Sequence, residues 1–265
     1  MVTKKLRYLK LYKAFFKNCL IREMEFRSHF IIQNIVSAVW ALIVLVTFLF
    51  IFNHVSSVNG WDLHSMLLLT AIYFLVDRIF DSLFEINLWD LTTLVNTGNL
   101  DTILTKPVSS QFMVSLRKFS FSMFFSNLAM IGLIIYLIIN FYSPISFIQI
   151  ISFLILIICS IVITYSLWFI SVLPIFWWGR LDNIHHLFRP FHQLGRVPID
   201  VTGSLKPFFT YIFPLAFVST IPAQAIIGNL SYWLLFYGII ISIVLLVISN
   251  KLWNFSLRYY TSASS

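Results

Sequence analysis

Residues 119–179 read FSFSMFFSNLAMIGLIIYLIINFYSPISFIQIISFLILIICSIVITYSLWFISVLPIFWWG, without one Asp, Glu, Lys or Arg. A run of about 18 or more predominantly apolar residues is long enough to cross the hydrocarbon core of a bilayer as a helix. This stretch has room for two such spans, with Asn140-Phe141-Tyr142-Ser143-Pro144 as the turn between them. Spans are therefore predicted at 119–140 and 145–170, and the fold class is an all-α integral membrane protein, in which each helix satisfies its own backbone hydrogen bonds.

The flanking sequence repeats the pattern. No Asp, Glu, Lys or Arg lies between Arg27 and Asp62, so a span is predicted at 30–52, with an outside turn around Asn59-Gly60. A second returns over 63–84 and a last one covers 232–249. Ahead of them, 4–26 interleaves Lys4, Lys5, Arg7, Lys10, Lys13, Lys17 and Arg22 with Tyr8, Tyr12, Phe15 and Phe16. At 3.6 residues per turn this forms an amphipathic helix, expected in the cytoplasmic headgroup plane. The apolar run that follows is too long for the core of a secretory leader, so it is expected to stay as a span.

Composition agrees. The chain has 265 residues, 59% hydrophobic and 11% charged, with mean hydropathy +0.89, against roughly 25% charged in soluble domains. About six spans fit, as a single membrane domain over 1–265. The net charge of +8 sits mostly at the ends of apolar segments, where it sets topology and meets anionic lipid headgroups; no nucleic-acid partner is expected. Cys19 and Cys159 lie far apart and form no disulfide framework.

The second span carries Asp77, Arg78, Asp81 and Glu85, its acids repeating every fourth residue on one face. Charges at that depth are costly unless paired or wetted. The expected role is a structural ion-pair set facing the basic N-terminal helix; a proton relay and interfacial snorkelling are the alternatives.

Between the apolar blocks lies NTGNLDTILTKPVSSQFMVSLRK, residues 96–118. Asn96, Thr97 and Gly98 are turn formers, Asp101 favours a helix start, and Lys106-Pro107 closes it. A short helix held outside the membrane results, read either as a docking element or as a capped loop.

The pattern Gly98-x-Leu100-Asp101-x-x-Leu104-x-Lys106-Pro107 resembles the first cytoplasmic loop of permease subunits of type-2 ABC exporters, the ABC-2 family transporter proteins. Arg196-Val197-Pro198-Ile199-Asp200, Tyr211-Ile212-Phe213-Pro214-Leu215-Ala216-Phe217 and Ile221-Pro222-Ala223 follow in that family's order. The resemblance implies a coupling helix within 96–116 that enters a groove of a separate ATPase. Leu100 and Leu104 are the expected apolar contacts, with Asp101 and Lys106 fixing register. It also bears on residues 180–228. Hydropathy makes 180–206 a cytoplasmic loop followed by a span from Pro207 to Ile227. The resemblance implies instead a fifth span, 181–199, opened by Arg180-Leu181-Asp182 and ending at Pro198, then a re-entrant outer segment, 201–228, broken at Pro207, Pro214 and Pro222. The second arrangement is the one expected here.

No catalytic constellation is present. The chain lacks G-x-x-x-x-G-K-[ST], C-x-x-C, H-E-x-x-H and G-x-S-x-G, so no ATP hydrolysis, metal centre or nucleophile is expected of it. His185, His186 and His192 have only Asp182 nearby as a further ligand, and no metal site is expected. His185, Arg189, His192 and Arg196, spaced by four, three and four, form a basic stripe if 181–199 is helical. That stripe is a candidate guide for an anionic or headgroup-bearing substrate; otherwise it is an amphipathic loop whose arginines meet lipid phosphates.

The expected function is the permease of an ATP-driven exporter in the bacterial cytoplasmic membrane, both termini inside. It would work with a second permease chain, identical or homologous, and two ABC ATPase subunits that bind the ATP and Mg, this chain holding no cofactor. An ion-coupled transporter using Asp77, Asp81 and Glu85 is the main alternative, and an intramembrane enzyme around His185 is a third.

Overall fold

The computed structural model describes residues 4–25, 27–142, 144–178 and 188–260. Among them no strand forms, and the chain is a helical assembly. The N-terminal helix α1 (Lys4–Glu25) leads into α2 (Arg27–Phe52), then α3 (Leu63–Phe80), a π-helical turn (Asp81–Glu85) and α4 (Ile86–Asn96). Two short helices follow, α5 (Asp101–Leu104) and α6 (Ser110–Leu116), then α7 (Phe121–Phe125), α8 (Asn127–Phe141), α9 (Phe147–Val172) and α10 (Ile175–Trp178). Beyond residue 187 come α11 (Arg189–Gln193), α12 (Thr220–Ile227) and α13 (Tyr232–Ser256).

Among the described residues four helical stretches are long and apolar enough to cross a membrane: Phe30–Phe52, Phe121–Phe141, Phe147–Trp178 and Tyr232–Tyr259. Their outer faces are apolar and open. Ile35, Trp40, Val46 and Phe50 on α2 are exposed, as are Leu128 and Ile139 on α8 and Trp233 and Phe236 on α13. Meanwhile Thr70, Ser160, Thr164 and Ser166 are fully enclosed. An apolar exterior around a partly polar interior is the pattern a bilayer imposes. α3 lies at the centre of this assembly, packed by α2, α8, α9 and α12, and is buried almost continuously from Met66 to Asp77.

The helix ends follow from local chemistry. Asp62 caps α3 by accepting from the Ser65 backbone N–H at 3.1 Å, and Ser146 and Gln149 close a reciprocal capping box at the start of α9. Ser109 caps α6 through Phe112 N–H at 3.4 Å. α13 runs to Ser256, about two turns past the expected end at 249, because Trp253 and Ser256 are buried against the rest of the protein.

Residues 207–227 do not form one continuous span. They divide into a π-helical turn (Phe208–Ile212), a 3-10 turn (Leu215–Phe217) and α12. Pro207 and Pro214 stand at the breaks. Pro222 does not break the chain: it lies in the first turn of α12, where a missing N–H leaves nothing unsatisfied. Leu215, Ala216, Phe217, Ile221 and Ala223 are buried, against α9 and α3, so this irregular backbone is enclosed by protein. Its start is tied to the turn between α2 and α3. Trp61 Nε1 donates to Asp200 Oδ2 at 3.0 Å, Asn59 Nδ2 to the Asp200 carbonyl at 3.2 Å, and Lys206 Nζ pairs with Asp200 Oδ1 at 2.6 Å. Residues 199–206 thus sit at the end of α3 opposite the 98–107 segment.

Candidate functional site

Gly98 adopts φ 73°, a left-handed turn that glycine enters without penalty, and swings the chain from α4 into α5. Leu100 and Ile103 then point inward and are fully buried. Leu104 and Asp101 are half-buried, while Asn99, Thr102, Thr105, Lys106 and Pro107 are exposed. The outward face of the turn is therefore Thr102, Thr105, Lys106 and Pro107, and Leu100, expected as an apolar contact for the ATPase, anchors the turn in the protein's own core. The turn is held from both chain ends: Tyr260 OH donates to the Gly98 carbonyl at 3.0 Å, and Tyr8 OH accepts from Ser109 N–H at 3.0 Å.

Behind that face α6 is fastened to two long helices. The Gln111 amide donates to Tyr165 OH of α9 at 3.1 Å and accepts from Asn250 Nδ2 of α13 at 2.7 Å. Ser115 shares a hydrogen bond with the same Tyr165 hydroxyl at 2.8 Å, and Trp253 Nε1 donates to Ser110 Oγ at 3.0 Å. Gln111, Ser115, Tyr165 and Ser249 are all buried, and buried polar groups satisfied in this way hold elements at one distance. The segment that follows the 98–107 turn is thereby hydrogen-bonded to both α9 and α13. Nothing in the spacing of 110–116 singles out Gln111; the readable signal is a polar Ser249-Asn250 pair inside an apolar helix.

The second feature is a partly buried charge cluster, with Asp77, Asp81 and His192 enclosed and Arg78, Glu85, Arg189 and Arg196 half-buried. Glu85 pairs with Arg189, Asp81 Oδ2 lies 3.4 Å from Arg78 Nη1, and Asp77 Oδ1 lies 3.4 Å from His192 Nδ1. Tyr73 OH meets the same His192 nitrogen at 3.2 Å. The Arg196 guanidinium sits 5.5 Å from the Tyr73 ring centre, and that of Arg189 sits 5.8 Å from Trp168.

The acidic face of α3 is thus matched by the basic stripe at 189–196 rather than by the N-terminal helix that its sequence position suggests. Acids set against arginines and a hydrogen-bonding histidine cost less at this depth than unpaired charges would. Within this chain His192 is buried while Arg189 and Arg196 are half-buried against the acids; His185, with His186, lies outside the described residues. The N-terminal helix does a different job: Glu23 accepts from Phe121 and Ser122 N–H at 3.0 Å each, closing the start of α7. Among the described residues no His, Cys, Asp and Glu group is arranged to hold a metal.

A family model described as ABC-2 family transporter protein matches residues 38–264. No curated protein and no solved structure matches the chain.

Proposed function

Because this chain belongs to the ABC-2 transporter family, a family of membrane components that work with ABC ATPases, we propose that it is the permease of an ATP-driven exporter. It moves a substrate from the cytoplasm or inner leaflet outward. Two ATPase subunits bind the ATP and Mg, a second permease chain, identical or homologous, completes the path, and the assembly sits in a bacterial cytoplasmic membrane with both termini inside.

The observation that carries this reading is the 98–107 turn. It has a buried inner face at Leu100 and Ile103, an exposed outer face at Thr102, Thr105 and Lys106, and a hydrogen-bonded connection through Gln111 to α9 and α13. A rigid element exposed on one side and fastened to spans on the other can convert ATPase closure into helix movement. Asp77 and Glu85 are engaged by His192 and Arg189, and Asp81 through one of its two oxygens by Arg78, which weighs against the ion-relay alternative.

The test is purification of the chain from its native membrane, wild type beside Thr102→Trp and Lys106→Glu, with bound ATPase and its turnover as readouts. Wild type retains the ATPase and the variants shed it. A wild-type chain that captures no ATPase, with export unaffected by ATP depletion, overturns the reading.

A further inference from the structure

A cavity of about 680 Å³ opens between α2, the π-helical turn, α4 and residues 120–123, within the ~300–1,000 Å³ range of sites for small organic ligands. Three carboxylates, Asp81, Glu85 and Asp90, line it, and no basic side chain does. Trp89 and Met123 supply apolar wall, and Gln33 of α2 adds an amide.

The three carboxylates differ in what they have left to offer. Glu85 is held by Arg189, and Asp90 by Arg117 at 3.0 Å and by Lys118. Asp81 is 3% exposed. Its Oδ2 meets Arg78 at a distant 3.4 Å, while its Oδ1 is buried with no hydrogen-bond partner among the described residues. A buried carboxylate oxygen without a donor is costly, and native proteins rarely leave one so. The Arg78 guanidinium, its nearest cation, also contacts Met123 Sδ at 3.3 Å and lines a separate cavity between α2 and α8.

We infer that this cavity binds an organic cation, an amine or onium group on an apolar body, with the positive head at Asp81 Oδ1 and the body against Trp89 and Met123. An anion would face three carboxylates with no basic side chain in the lining. A bare metal ion would require several oxygen ligands in one shell, and among the described residues no group of three or more His, Cys, Asp or Glu side chains is placed to supply them. An indole beside a carboxylate suits a cation on both counts. The inference rests on the exporter reading for its use, since it names the class of substrate; the binding itself needs no ATPase.

The test uses the purified full chain, without ATPase, in nanodiscs of phosphatidylcholine. Ethidium is the cationic probe and anilinonaphthalene sulfonate the anionic one. Saturable ethidium binding is expected, weakened at least about tenfold by Asp81→Asn through loss of the charge partner. Met123→Trp, which fills the cavity from its apolar wall, is expected to weaken it similarly. Unfolding temperature is read alongside; if Asp81→Asn does not fold, Met123→Trp decides.

Ethidium affinity unchanged in the folded variants, or equal competition by the anionic probe or by sodium, overturns the assignment. Ethidium binding as described by a chain that captures no ATPase leaves the cation site standing and removes the exporter reading. ATPase capture without ethidium binding does the reverse.

Discussion

Asn250 Nδ2 donates to Gln111 Oε1 at 2.7 Å, joining the last long helix to the short helix that follows the exposed turn. The same Gln111 reaches Tyr165 of α9, so one side chain ties three elements together. In the proposed exporter this is where movement of the 98–107 turn enters the spans.

Gln111→Leu removes that tie and leaves the Tyr165 and Ser249 hydroxyls with fewer partners, at about 1–3 kcal/mol for each buried group left unsatisfied. The exposed turn is untouched, so the ATPase stays bound. Export per ATP consumed is expected to fall sharply, more than in Asn250→Leu, which removes one arm of the tie. Co-purification together with vesicle transport checks this, and wild-type export by Gln111→Leu would discard the transmission role.

Arg189 and Glu85 retain some solvent, with 31% and 20% of their side chains exposed. Neutralising either one as Arg189→Gln or Glu85→Gln should cost about 1–3 kcal/mol, below the figure for a fully buried pair. The exchange Glu85→Arg with Arg189→Glu is expected to recover at least part of that loss. Unfolding temperature in detergent is the measurement; single variants as stable as wild type would show that the pair carries no stability.

Asp62 caps the N-terminus of α3. Burial alone would raise its carboxyl pKa, but hydrogen bonds from the Ser65 hydroxyl and backbone N–H, with His64 3.4 Å away, hold it below the ordinary carboxylate value. A carboxyl lowered on folding contributes stability above its unfolded pKa of about 3.9, and that contribution is lost as pH falls through the lower folded value. Asp62→Ala should cost about 1 kcal/mol at neutral pH, and Asp62→Asn less, since Asn also caps. The wild-type advantage over Asp62→Asn should disappear in acid, below the ordinary carboxylate range. Melting curves of the pair across pH test the sign, and an advantage that grows in acid would reverse it.

Gly238 of α13 lies against Phe217. A Cβ there would come within 2.6 Å of the Phe217 ring, and Phe217 is fully buried. Overpacking of about 1–3 kcal/mol outweighs the roughly 1 kcal/mol helix gain of Gly→Ala, so Gly238→Ala should lower the unfolding temperature. A Cβ added at Gly132 would meet nothing within 4 Å, and Gly132→Ala should be neutral or stabilising. The opposite ranking would refute the close approach of α13 to residues 215–217.

The sequence by itself determined that this is a helical membrane protein, because an uncharged run such as 119–179 is stable in few places other than a bilayer. It also determined where 98–107 turns, since Gly98 and Pro107 act through their own backbone geometry. Family membership was legible too, in short motifs spread along the chain. Only the tertiary structure decided which face of the turn looks outward, and that Asp77, Asp81 and Glu85 meet Arg78, Arg189 and His192. It alone joined Gln111 to Asn250 and opened the cavity at Asp81. Helix period and turn chemistry are local and survive in a linear reading. The partner of a buried charge is chosen by packing between elements far apart in the chain, where the cost of an unpaired charge selects whichever opposite group the fold brings near.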